Sequence, residues 1–341
     1  MKYIGIVGVT VMLTCGPIAS HGNPLQSDVP LLFGEAADLV IGDRDEGMVF
    51  GNATDIAVGS DGRIYLLDGG FGKIYIFSPD GELLGEFGRS GEGPGEFTIP
   101  MCIATDPESG DVWVGNFQGR LCQYTADGEV VDDIRFSWPG NRPVRSIAIG
   151  MHGNIYVSCA NVLDQTMIHV FRKNGELVRS FGDTFARDRP ETDTEDELAY
   201  ATGFLDVRDS TVFYSQKNPY EIRQYDLSGN VRYTIRDSGQ DVPYPPPVRM
   251  PDGRRKKRSL KGSWGIMALP DGAFMNNIVI PMSEHGPPGS IIEHYNSSGD
   301  LVLHEEHSTL LFVRAVDGEG RVWALDNQPY ARMMRYPAPA D

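Results

Sequence analysis

Few side chains suited to chemistry gather at a telling spacing in this chain of 341 residues. His304-Glu305-Glu306-His307 joins two imidazoles to two carboxylates. Its offset of three is not the helical zinc-protease spacing, and on a strand it sends the two rings to opposite faces. Gly91 to Gly95 is glycine-rich but lacks the Lys-Ser/Thr of a phosphate loop and precedes a strand, so it reads as a connector. Asp43-Arg44-Asp45-Glu46-Gly47 lacks the later bidentate Glu of a calcium loop. Asn52-Ala53-Thr54 and Asn296-Ser297-Ser298 accept glycans only in a eukaryotic secretory route. Cys102, Cys122 and Cys159 have no metal-site spacing and read as small buried hydrophobes. A Cys102–Cys122 bridge is disfavoured because a third strand should separate the two. No catalytic residue, metal ligand or cofactor is assigned on these motifs.

Any site must be positioned by a repeated unit. From Ala53 to Phe97, apolar residues recur every second position in four short runs, Asp55–Val58, Arg63–Asp68, Lys73–Ser78 and Leu83–Phe87. Asp-Gly or Gly-Gly lies in the gaps. Alternation bounded by such turns predicts half-buried antiparallel strands joined in hairpins. Copies follow at about Pro100–Phe136, Val144–Phe181, Phe204–Ile235 and Trp264–His304, and a three-stranded sixth runs from Phe312 to Tyr336. A stray strand at Asp38–Ile41 has no hairpin partner nearby. Periods of roughly 40 residues with four strands each predict propeller blades. The fold expected is all-β: a six-bladed β-propeller of four-stranded antiparallel blades, its ring closed by the N-terminal strand.

The N-terminus is read apart from this fold. Lys2, the apolar run Ile4 to Leu13, and small residues at Ala19, Ser20 and Gly22 make a secretory signal over residues 1–22. Residues 23–37 are a lead-in, and 38–338 one propeller domain. Secretion or a periplasmic location is expected, with lipid anchoring at Cys15 as the alternative. No later run is long and apolar enough to span a bilayer. With 30 Lys and Arg against 47 Asp and Glu, the net charge is -17, which disfavours nucleic acid as a partner. A monomer is expected.

In a propeller, the turns joining strands a–b and c–d lie on one face, and the b–c and d–a connections on the other. Here the first set is short and Gly-rich. The long connections 88–99, 137–143, 182–203, 237–263 and 277–289 all fall in the second, which is therefore read as the functional face. Two of them carry opposite charge: Glu191, Asp193, Glu195, Asp196 and Glu197 in one, and Arg254, Arg255, Lys256, Lys257, Arg258 and Lys261 in the other. Phe71, Phe117, Tyr220 and Tyr330 take equivalent places in the b–c loops of blades 1, 2, 4 and 6, each following Asp68, Asn116, Gln216 or Asp326 at the end of strand b. They read either as wedges between blades or as an aromatic ring at the channel mouth suited to sugars or peptides. Arg145, Trp264 and Arg314 lie near the starts of innermost strands and reach toward the same opening. An Arg there calls for an internal Asp partner or a carboxylate ligand.

Phe87-Gly88, Gly91-Glu92-Gly93-Pro94-Gly95-Glu96-Phe97, Pro100, Ile103-Ala104, Gly110 to Val114 and Gln123-Tyr124 together resemble the NHL repeat. Blade 3 matches at Ser146-Ile147-Ala148, Gly153 to Val157 and Val170-Phe171, and blade 6 at Ala315-Val316-Asp317 and Gly320 to Trp323. Blades 4 and 5 depart from the pattern. The resemblance implies a six-bladed propeller. It fixes function weakly, since members bind proteins, bind RNA, or act as lyases and hydrolases. The zinc lyases of this type place one histidine per blade around the channel, and no such set assembles here. The metal-dependent lactonase type uses Glu, Asn and Asp. Asn116 and Asp326 match it, whereas Cys159 and Ile278 take the equivalent places in other blades. The function expected is a binding scaffold for a protein, peptide or glycan. The alternative is an extracytoplasmic metal-dependent lyase or hydrolase with calcium or zinc at the channel mouth.

Overall fold

The computed structural model describes residues 31–42, 47–117, 119–136, 144–159, 166–183, 203–217, 220–236, 248–249, 255–256, 262–281 and 288–338. Six four-stranded antiparallel sheets form a ring. Blade 1 consists of β2 (Ala53–Val58), β3 (Ile64–Asp68), β4 (Lys73–Phe77) and β5 (Leu83–Phe87). Blade 2 is β6 (Pro100–Thr105), β7 (Val112–Asn116), β8 (Arg120–Tyr124) and β9 (Val130–Arg135). Blade 3 is β10 (Ser146–Ile149), β11 (Ile155–Ser158), β12 (Thr166–Phe171) and β13 (Leu177–Asp183). Blade 4 is β14 (Phe204–Arg208), β15 (Thr211–Gln216), β16 (Glu221–Asp226) and β17 (Val231–Arg236). A two-residue ladder follows, β18 (Val248–Arg249) with β19 (Arg255–Lys256). Blade 5 is β20 (Gly262–Ala268), β21 (Phe274–Ile280), β22 (Gly289–Tyr295) and β23 (Leu301–His307).

Blade 6 supplies β24 (Phe312–Val316), β25 (Val322–Asp326) and β26 (Arg332–Tyr336), and its outer strand is β1 (Leu39–Ile41). Leu39 pairs with Arg335 and Ile41 with Met333, so the chain closes its own ring as the stray strand predicted. The Arg335 guanidinium donates to Asp38 Oδ1 at 2.8 Å and to the Pro79 carbonyl at 2.5 Å, tying the closing strand to blade 1. Ile41, Phe50, Trp323 and Met333 are buried together with Ile64, Tyr75 and Phe77 across the seam.

Burial departs from the half-buried expectation in a regular way. The middle strands β3, β7 and β8 are buried along their whole length, because each blade is covered on both faces by its neighbours. The outer strand β5 is largely exposed. Cys102 in β6 pairs with Gly115 in β7, and Cys122 in β8 pairs with Val114, so β7 separates the two thiols. All three described cysteines are buried, and no disulfide joins any two of them.

The glycine-rich connector 88–99, which joins blades 1 and 2, is held by blade 2. Arg120 Nη1 donates to the Glu96 carbonyl at 3.1 Å, its Nη2 donates to the Gly93 carbonyl, and its Nε donates to Asp133 Oδ1 at 2.7 Å. Tyr124 Oη donates to the Gly95 carbonyl at 2.7 Å, and Phe97 is fully buried.

Candidate functional site

The innermost strands β2, β6, β10, β14, β20 and β24 line a central cavity of about 560 Å3, a volume suited to a small ligand. Each innermost strand is reached from a d–a connection and left by an a–b turn. Its first residues therefore lie at the long-connection face. The pairing register slips by one residue at Thr54, Met101, Trp264 and Arg314. Such bulges re-aim a side chain out of the regular alternation. Thr54, Met101 and Arg314 line the channel, as does Arg145 just before β10.

Trp264 sits among charges and rings. The Arg145 guanidinium carbon lies 6.0 Å from its ring centroid and Lys217 Nζ only 4.3 Å away. Phe204 and Phe312 each lie 6.3 Å from it, centroid to centroid. Cation–π attraction holds both cations in part, at about 0.5–2 kcal/mol each. Among the described residues, neither Arg145 nor Lys217 has a carboxylate at ion-pair distance. Burial pushes the Lys217 ammonium down to about 8, and the nearby Arg145 charge adds to the shift. Burial lowers Arg145 as well. Gly262 makes this placement feasible: a Cβ there would lie 2.4 Å from the Lys217 carbonyl oxygen.

Arg314 lies deeper. Its Nη1 donates to the Trp264 carbonyl at 2.6 Å, and its guanidinium carbon is 5.2 Å from the Phe312 centroid and 5.9 Å from that of Phe204. Its Nε is 3.9 Å from Asp55 Oδ1 and makes no hydrogen bond. Asp55 accepts the Ile103 N–H at 3.0 Å and the Ile56 N–H at 3.1 Å, bridging blades 1 and 2. Burial raises its carboxyl from 3.8 to about 6, against the opposing pull of Arg314. Asp206 similarly accepts the Ala268 and Val207 N–H groups at 2.8 and 2.7 Å. The internal Asp partner expected for these arginines thus exists for Arg314 as a loose pair, and Arg145 has none among the described residues.

The four b–c aromatics do not behave alike. Phe71 is 50% exposed, and Phe117 and Tyr330 are each 38% exposed, on the long-connection face. Tyr220 is buried between blades 4 and 5. Its hydroxyl donates to the Glu293 carboxylate, lies 3.0 Å from the Tyr295 hydroxyl, and accepts from Asn276 Nδ2 at 3.2 Å. Burial pushes its phenol up. Tyr220 is therefore a wedge, because blade 5 offers it polar partners. None of the four lines the channel itself. The cluster around Trp264 brings Arg145, Trp264 and Arg314 together, and of the three Arg145 and Arg314 line the channel. It adds Lys217, Phe204, Phe312 and Asp55, which sequence reasoning passed over. For Asp55 the readable signal was a charge at an inward position of an innermost strand.

Among the described residues, no three His, Cys, Asp or Glu side chains gather in an arrangement able to hold a metal ion. Asn116 Nδ2 is 3.6 Å from the Cys122 sulfur, and Asp326 accepts from Arg332 at 2.5 Å and from the Gln328 N–H at 2.8 Å. Both lie away from the channel lining. Asp55 and Asp206 are committed to backbone N–H groups, with Arg314 beside the former, a donor set that does not fit a dication. His304 and His307 lie on the outer strand β23, beside Glu293 at 3.4 Å and Glu305 at 3.8 Å respectively. The signal and its Cys15, the acidic run 191–197 and the side chains of the basic run 254–261 lie outside the described residues.

A family model described as a 6-bladed beta-propeller matches residues 46–142. No curated protein matches the chain in sequence. Solved structures of similar fold include a member of the DUF4221 family from Bacteroides vulgatus, 11% identical with a TM-score of 0.59, covering 89% of this chain and 97% of that one. Virginiamycin B lyase from Staphylococcus aureus is 15% identical with a TM-score of 0.50, covering 83% and 79%. A chain of the Mitotic Checkpoint Complex is 10% identical with a TM-score of 0.56, covering 98% and 100%. At these identities the likeness concerns the fold alone, and the six blades of the structure agree with the description of the family model.

Proposed function

We propose that this chain is an extracytoplasmic, NHL-like propeller that acts as a binding scaffold, recognising a protein, peptide or glycan through its long-connection face. One observation carries this reading. Arg145, Phe204 and Arg314 line the channel where their strands begin, and they belong to a cluster of rings and cations whose charges are incompletely matched among the described residues. A group that folding alone required would be expected to have its charge satisfied internally. Exposed Phe71, Phe117 and Tyr330 on the same face add apolar area at the rim. The signal-like segment 1–22 supports an extracytoplasmic location, with 38–338 as the propeller unit. Among the described residues no helix is long and apolar enough to cross a membrane.

The test separates rim residues from wedges. Phe71→Ala and Phe117→Ala are each expected to change stability by no more than about 0.5 kcal/mol and to weaken capture on peptide and glycan arrays. Tyr220→Ala is expected to lower the melting temperature, since it removes a buried donor to Glu293 and leaves Asn276 Nδ2 without its acceptor. If all three destabilise and none changes array binding, the rim reading fails.

A further inference from the structure

We propose that the channel mouth binds a small organic carboxylate, its anionic group held by Arg145 and Lys217 and its flat apolar body set against Trp264, Phe204 and Phe312. This deepens the binding-scaffold reading and rests on it. Two like charges flank one indole, with no carboxylate at ion-pair distance among the described residues. A half-buried positive pair of this kind is unfavourable until an anion joins it. The depressed Lys217 ammonium is the mark of that mismatch. A positive mouth also runs against the chain's net charge of -17, so it does not follow from overall composition.

The channel chemistry narrows the ligand further. The cavity of about 560 Å3, which Arg145 and Phe204 of this cluster line, accommodates a small molecule. Phe204 and Phe312, each 6.3 Å from the Trp264 centroid, offer with it flat apolar surface for its body. Deeper in, Asp55 sits 3.9 Å from Arg314 and offsets its charge, which leaves Arg145 and Lys217 as the cations open to a carboxylate. Around the Lys217 ammonium, the charged neighbour among the described residues is Arg145, just before β10, and β20 contributes the Trp264 ring. Arg314 from β24 and Asp55 from β2 lie beyond.

The experiment is calorimetric titration of the full chain with matched acid and amide pairs: phenylacetate and phenylacetamide, indole-3-acetate and indole-3-acetamide, glucuronate and glucuronamide. Inorganic phosphate is run beside them. At least one aromatic acid is expected to bind about tenfold more tightly than its amide, a difference of about 1.4 kcal/mol. Arg145→Ala and Lys217→Gln should each abolish that preference, and Arg145→Lys should retain part of it. The preference should also decline above pH 8 as the ammonium deprotonates. The proposal is overturned if no aromatic acid outbinds its amide, if the preference survives both substitutions, or if phosphate or glucuronate binds more tightly than every aromatic acid. Array capture through Phe71 and Phe117 is read separately. Its persistence alongside a missing acid preference would overturn this inference and leave the broader reading standing.

Discussion

Asp55 carries the clearest pH signature of any side chain in the channel. Its folded carboxyl titrates near 6, above its ordinary 3.8, because burial outweighs the help of Arg314 and two backbone N–H groups. A raised carboxyl contributes stability that is full below about pH 4 and is lost as pH rises through about 6. Wild-type stability relative to Asp55→Asn should therefore fall between pH 4 and pH 7, as read by urea unfolding at each pH. A flat difference across that range would contradict the burial argument. At this scale the sequence disclosed residue types better than environments. Arg145, Trp264 and Arg314 were legible as charges and a ring near strand starts. Lys217 was not, because its approach to Trp264 depends on the close packing of Gly262 against its carbonyl, a contact between blades 4 and 5. Tyr220 looked equivalent to Phe71, and only the neighbouring Glu293 and Tyr295 make it a buried wedge.

The blades are built from elements whose period is easy to read and whose joins are less so. Strands, hairpin turns and the closing segment followed from alternation and Asp-Gly turns, since those patterns are local. The bulges at Thr54, Met101, Trp264 and Arg314 did not, because one extra residue on one strand leaves composition unchanged. The ladder of β18 with β19 inside the long insertion was likewise missed, two residues being too few to show a period. The c–d turn of blade 2 illustrates a join between blades. Gly128 has φ +91°, and a Cβ there would lie 2.5 Å from the Phe87 ring of blade 1. Gly128→Ala combines left-handed backbone strain with a clash against a packed ring, for an expected loss of about 2 kcal/mol. Thermal or chemical denaturation measures it, and a neutral result would mean that the turn relaxes freely.

The whole molecule is a ring that depends on one short strand. β1 pairs with β26 and covers the seam between blades 6 and 1, where Ile41 packs with Phe50, Trp323 and Met333. Removing residues through Ile41 exposes that seam and should lower the melting temperature by at least about 5 °C. An unchanged value would mean that the ring is held without its closing strand. Closure was legible from the count of five complete units, one short of a strand and one strand left over. The ligand was not, because the channel is assembled from six strands widely separated in sequence.

The most direct test of the account is ligand capture by three matched proteins on one peptide and glycan array. These are wild type, the double variant Arg145→Ala/Trp264→Ala at the long-connection mouth, and Met151→Ala. Met151 lines the opposite end of the same channel and is 52% exposed. With folding verified by melting temperature, the mouth variant should lose at least about tenfold in affinity, or about 1.4 kcal/mol, while Met151→Ala stays at the wild-type value. Unchanged capture by the mouth variant, or an equal loss at Met151, would contradict recognition through this face.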